Sequence, residues 1–74
     1  MIYLKFNPSD YNYTYSEWEH IIDEFVFNER NRKIIKRKLL DGITFENLAE
    51  EMEMSVRGVR YIVADGINKL IKRI

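Results

Sequence analysis

The run from Phe45 to Ile62 constrains this chain's fold more than any other stretch. Counted from Phe45, apolar side chains fall at the fourth, eighth, tenth, fifteenth and eighteenth places (Leu48, Met52, Met54, Val59 and Ile62), and the fifth place is the small Ala49. Two short helices that meet at a sharp corner need this arrangement: a small residue where they touch, and apolar residues filling the angle between them. Thr44 precedes FENLAEEM and Ser55 follows the Glu53-Met54 turn, and both are oxygen-bearing residues of the kind that cap helix starts. At the ninth place the turn calls for positive φ, where glycine is unstrained; Glu53 stands there, which predicts either strain or an adjusted turn.

The rest of the chain supplies partners for this corner. A first helix is expected from about Ser16, where Ser16 and Glu19 have capping-box spacing and Thr14 and Glu17 repeat it just upstream. Trp18, Ile21, Ile22, Phe25 and Val26 form its apolar face. Asn28 caps a second helix, with Ile34, Ile35, Leu39 and Leu40 at core spacing and six basic residues between positions 30 and 38. Asp41-Gly42 ends it, Gly42 being suited to the left-handed position after a helix. Phe45, Leu48, Ala49 and Met52 turn inward on the third helix. The fourth runs from Ser55 to about Lys72 with an inner stripe of Val59, Ile62, Val63, Ile67, Leu70, Ile71 and Ile74. Gly58 and Gly66 interrupt it at about 1 kcal/mol each relative to alanine, which implies close packing there. The expected architecture is all-α: a compact bundle of three or four helices over residues 16–74, preceded by an arm over residues 1–15. The arm carries Tyr3, Phe6, Tyr11, Tyr13 and Tyr15, and its expected task is to cover an exposed face of the bundle.

Composition excludes several functions. With no cysteine and a single histidine, His20, the chain has no disulfide framework and no set of metal ligands. His20 reads as an ordinary surface or boundary residue. Carboxylates scattered over helix surfaces do not assemble a nucleophile and base, so neither catalysis nor a cofactor is expected. No stretch approaches the roughly 20 apolar residues of a membrane span, and MIYLKFNPSD lacks a basic segment followed by an apolar run, so a cytoplasmic protein is expected. The formal net charge is zero, but residues 1–28 carry one basic and five acidic side chains, whereas residues 29–74 carry eleven basic and seven acidic ones. Local basic surface governs phosphate contact more than the total does.

The run NERNRKIIKRKLLDGITFENLAEEMEMSVRGVRYIVADGINKLIKR, residues 28–73, resembles region 4 of bacterial sigma factors and the small sigma-like helix-turn-helix proteins of phages and prophages of Gram-positive bacteria. The resemblance rests on Glu29-Arg30, Asp41-Gly42-Ile43-Thr44, Leu48-Ala49, Met54-Ser55, Val59-Arg60 and Lys69-Leu70. It departs at Glu53, has no counterpart for the first fifteen residues, and lacks the other sigma regions. It implies a helix-turn-helix bundle and sequence-specific binding of double-stranded DNA in transcription control.

On that reading the last helix presents its N-terminal turns to the major groove. Arg57 and Arg60 are the candidates for guanine edges or phosphates, Val56 for a thymine methyl, and Tyr61 for a phosphate, with Ala64 one turn further on. Ser55 and Thr44, with the free N–H groups at their helix starts, would hold phosphates. Lys33, Lys36 and Arg37 are weaker candidates for backbone contacts. Glu46, Glu50 and Glu51 oppose DNA unless they face away. A homodimer through Ile67, Leu70, Ile71 and Ile74 would double the phosphate contacts. The rival reading is a phage-type protein-binding module on the same fold, an inhibitor or adaptor of a host protein such as RNA polymerase or a defence nuclease, with the tyrosine-rich arm as anchor.

Overall fold

Every helix of this chain starts at a side chain that closes its first turn. The computed structural model describes residues 11–72 and contains α1 (Tyr15–Phe25), α2 (Glu29–Leu39), α3 (Phe45–Met52) and α4 (Val56–Ile71). Asn28, Thr44 and Ser55 each accept a hydrogen bond from the backbone N–H three residues on, at Asn31, Asn47 and Gly58. The first helix begins one residue earlier than the Ser16 reading places it. Thr14 and Glu17 form the reciprocal capping box, the Thr14 N–H donating to Glu17 Oε1 at 2.7 Å and the Glu17 N–H to Thr14 Oγ1 at 3.2 Å. Two overlapping boxes were available, and the upstream one brings Tyr15 into the helix.

The four helices form an all-α bundle in which α4 packs against each of the others. Ile22, Val26, Ile34, Ile35, Leu48, Ala49, Val59, Ile62, Val63, Ile67 and Leu70 make one continuous buried cluster, with Leu39, Leu40, Phe45, Met52 and Met54 half-buried at its edge. All six positions of the corner pattern therefore contribute to the core. The α2–α4 contact depends on Gly66: a methyl group there would collide with the Ile35 side chain, so glycine lets the two helices close up. Ile71 departs from the expected inner stripe and is 48% exposed, while Ile74 lies outside the described residues.

Trp18 stands apart from this cluster yet is only 3% exposed. Tyr11 and Tyr13 shield it in T-shaped contacts, with ring centroids 5.7 and 5.2 Å from that of the indole. This part of the arm covers the bundle as expected; Tyr3 and Phe6 lie outside the described residues. The C-terminus of α1 has no basic residue in its last turn, and α2 supplies one. Arg32 donates to the carbonyls of Val26 and, at 3.1 Å, Asp23, satisfying acceptors that a helix end leaves open.

Both turns beside α3 use left-handed backbone. Gly42 has φ 73°, two residues past the α2 C-cap Leu40 rather than immediately after it. Glu53 has φ 56° and ψ 45°, so the turn into α4 keeps its left-handed geometry despite the side chain.

Two stability outcomes are expected from these contacts. Glu53→Gly should raise unfolding free energy by about 1 kcal/mol, because relief of the left-handed strain outweighs the added freedom of the unfolded chain; urea titration measures it, and a loss of stability would show the glutamate to be unstrained. Trp18→Ala should cost about 3 kcal/mol or more, read from thermal melting; an unaltered melt would mean that the Tyr11 and Tyr13 cover contributes nothing.

Candidate nucleic-acid interface

Helix α4 buries one side and exposes the other, and the exposed side of its first two turns carries Arg57, Arg60 and Tyr61. Residues three and four apart share a helix face, so these three side chains project together. Tyr61 is 71% exposed, and neither arginine forms an ion pair among the described residues. Asp65, further along the same helix, is bound to Lys69 at 3.2 Å, and Glu53, four residues before Arg57, forms no ion pair among the described residues. With Ser55, Arg57, Arg60 and Tyr61 all exposed, the described part of the aromatic arm leaves this end of α4 open.

Two other residues of this helix sit differently from expectation. Ala64 is buried rather than outward. Val56 is half-buried against the core edge instead of standing free, because Met54 and Val56 both fold into the angle that the turn opens. Gly58 has a local reason to be small. A methyl there would lie 3.1 Å from Ser55 Oγ and 3.3 Å from Met54 Cε, crowding the hydroxyl that caps the helix.

Phe45, at the start of α3, organises the neighbouring positive charge. The Arg60 guanidinium carbon lies 5.1 Å from the ring centroid and the Lys38 ammonium 4.4 Å from it, distances at which the ring quadrupole attracts a cation. Lys38 also donates to the Ile43 carbonyl at 3.1 Å. Sequence spacing assigns Phe45 to the core and gives no special place to Lys38, since nothing in a linear pattern shows that the end of α2 reaches the start of α3 beside Arg60. Thr44 and Ser55 are exposed, and each hydroxyl oxygen accepts from its own helix at 3.1 and 3.0 Å. Each retains its own O–H as a donor.

The cations of α2 divide into those used by the fold and those left over. Arg37 grips Glu51 through two nitrogens, at 2.7 and 3.0 Å, and Asp41 through a third at 2.9 Å. Lys36 pairs with Asp23 at 2.9 Å. The sequence suggests both for DNA phosphates, and both are instead committed to acids brought in from α1, α3 and the α2–α3 link. The same pairing neutralises Glu51. Lys33 remains exposed and without an ion pair among the described residues, while Glu46 and Glu50 stay solvent-facing on α3.

No family model, no curated protein and no solved structure matches this chain. Among the described residues, no group of three His, Asp or Glu side chains converges as metal ligands would, and no helix is long and apolar enough to cross a membrane.

The Arg37 cluster has a pH signature. Its guanidinium holds Asp41 and Glu51 below their ordinary carboxylate values, chiefly by direct hydrogen bonds, and these acids in turn push Arg37 up. Tyr15 donates its hydroxyl to Asp41 at 3.0 Å, which lowers Asp41 further and raises the phenol. A carboxylate lowered by folding contributes stability above its unfolded pKa of about 4 and loses it as pH falls through the folded value. Stability should therefore begin to decline on acidification below about pH 5 and go on falling through the lowered values of Asp41 and Glu51. Arg37→Met should flatten that decline in urea titrations across the range; an unchanged acid slope would show that other carboxylates dominate.

Proposed function

We propose that this chain is a sequence-specific, double-stranded DNA-binding regulator of transcription, acting in the cytoplasm and using α3 and α4 as a sigma region 4-like helix-turn-helix of the phage and prophage type. The observation that carries this reading is the state of the Ser55 end of α4. Arg57, Arg60 and Tyr61 project from it on one face, with no ion pair among the described residues, in a chain that binds most of its helical cations to acids or carbonyls. Free cations on an exposed helix face are available to phosphates and to guanine O6 and N7; paired ones are not.

Each role is argued from position. Arg57 is exposed on the outer face of the first turn and suits a guanine edge in the groove. Arg60 lies over the Phe45 ring beside Lys38, which favours a phosphate contact near the start of α3. Tyr61 extends the same face. Thr44 and Ser55 offer hydroxyl donors and the first-turn N–H groups to the strand backbone. Lys33 adds a cation at the margin. Val56 packs inward, so its contact with a thymine methyl is limited to the part of the side chain left exposed. The exposed Glu46 and Glu50 hold down non-specific affinity, which for a chain of zero net charge is already small.

Selection from random duplex DNA should return a consensus, and Arg57→Ala combined with Arg60→Ala should abolish binding to it while leaving the far-UV circular dichroism unchanged. Retained affinity in a folded double variant would remove both arginines from the site. A failure to enrich any duplex would move the reading to a protein partner, such as host RNA polymerase or a defence nuclease.

A further inference from the structure

We propose that Phe27 and the groove beside it form the contact of a two-fold homodimer of this chain. Phe27 sits in the short link between α1 and α2 and is 83% exposed, more than any other large apolar side chain among the described residues. It forms one wall of a groove of about 310 Å³, completed by Glu24 and Phe25 from α1 and by Lys69 and Lys72 from the end of α4. A single exposed aromatic is ordinary; an exposed aromatic bordering an apolar-floored groove has somewhere to go in a second molecule.

The charges at the groove select that second molecule as another copy of this chain. A two-fold interface brings a patch against itself, so it must be self-complementary. Glu24 and Lys72 line the same groove, carry opposite signs, and form no ion pair among the described residues, while Lys69 is held by Asp65. Rotation about a two-fold axis sets Glu24 of each copy against Lys72 of the other and lets each Phe27 enter the opposing groove. A patch of one sign would repel its copy. Of the α4 stripe expected to carry a dimer, Ile67 and Leu70 are fully buried in the chain's own core, Ile71 is exposed, and Ile74 lies outside the described residues.

This assignment stands without the DNA reading but fits it. The groove lies at the C-terminal end of α4 and Arg57 near its N-terminal end, about 20 Å away at ~1.5 Å per residue. Two such helices meeting at their C-termini would place their reading ends roughly 40 Å apart when collinear and closer when inclined, a range that reaches the ~34 Å between successive major grooves on one face of DNA.

Sedimentation equilibrium of the full chain without DNA, between about 1 and 200 µM, should show a monomer–dimer equilibrium. Phe27→Ser should weaken it by about tenfold or more with unchanged circular dichroism. Glu24→Lys and Lys72→Glu should each weaken self-association, and an equimolar mixture of the two should restore it, because the mixed pair regains both attractions. A wild-type chain that stays monomeric throughout, a dimer indifferent to Phe27→Ser, or a mixture no better than its components would each overturn the proposal. None of these measurements involves DNA, so they fail or succeed separately from the test of Arg57 and Arg60.

Discussion

The structure depends on the close approach of α2 and α4 at Gly66, where the Ile35 side chain occupies the space a β-carbon would take. A chain of 74 residues without cysteine has no covalent closure to fall back on, and a core this small tolerates little slack. Seating Ile35 directly on the α4 backbone brings Ile34, Val63 and Ile67 into the same buried cluster, and α4 becomes a wall shared by the other three helices. One side of α4 is thereby consumed. What it displays on the other side is available for anything outside the molecule.

Charge is divided in the same way. Half of the basic residues lie on α2, which makes that helix the obvious phosphate surface, yet the fold spends several of them internally. Arg32 closes the end of α1, Lys36 holds Asp23, and Arg37 joins Asp41 to Glu51 and, through Asp41, to Tyr15. These contacts link α1, α2 and α3 around the bundle's side. Exposed pairs of this kind contribute little individually, and their joint effect is to fix the relative placement of helix ends rather than to supply bulk stability. The consequence for recognition is that, among the described residues, few cations lack both an ion pair and a backbone acceptor: Arg57 and Arg60 on the first turns of α4, Arg30 and Lys33 on α2, and Lys72 at the far end of α4.

Local features of this fold are legible in the sequence because their causes are local. Asn28, Thr44 and Ser55 mark their helices unambiguously, and the apolar spacing around Ala49 forecasts the corner. The first helix is capped at Thr14, two residues upstream of Ser16, because both residues offer boxes of identical spacing, which local sequence alone does not rank. Ala64 is buried because a helix packed against three others buries more of its circumference than one apolar face suggests, whereas Ile71, in the last turn of α4, is left exposed. The commitment of Lys36 and Arg37 to distant acids is invisible for a different reason. Asp23, Asp41 and Glu51 stand 13, 4 and 14 residues from their partners, and only the chain's path brings the two more distant ones into contact. The Lys38–Phe45–Arg60 grouping is hidden by the same cause.

Glu53 shows how the reading end is held despite a locally unfavourable residue. Its left-handed backbone costs about 1 to 2 kcal/mol relative to ordinary helix or strand geometry, and the geometry persists because neighbours over-determine it. Met54 N–H donates to the Ala49 carbonyl at 2.9 Å, Met54 packs on the core edge, and Ser55 immediately opens a new helix. These contacts fix both ends of the turn and hold the left-handed geometry between them. An adjusted turn would swing the first turns of α4 and displace Arg60 from the Phe45 ring. The left-handed geometry at this residue, and not the strain that glutamate adds to it, is therefore the condition for keeping the guanidinium in place.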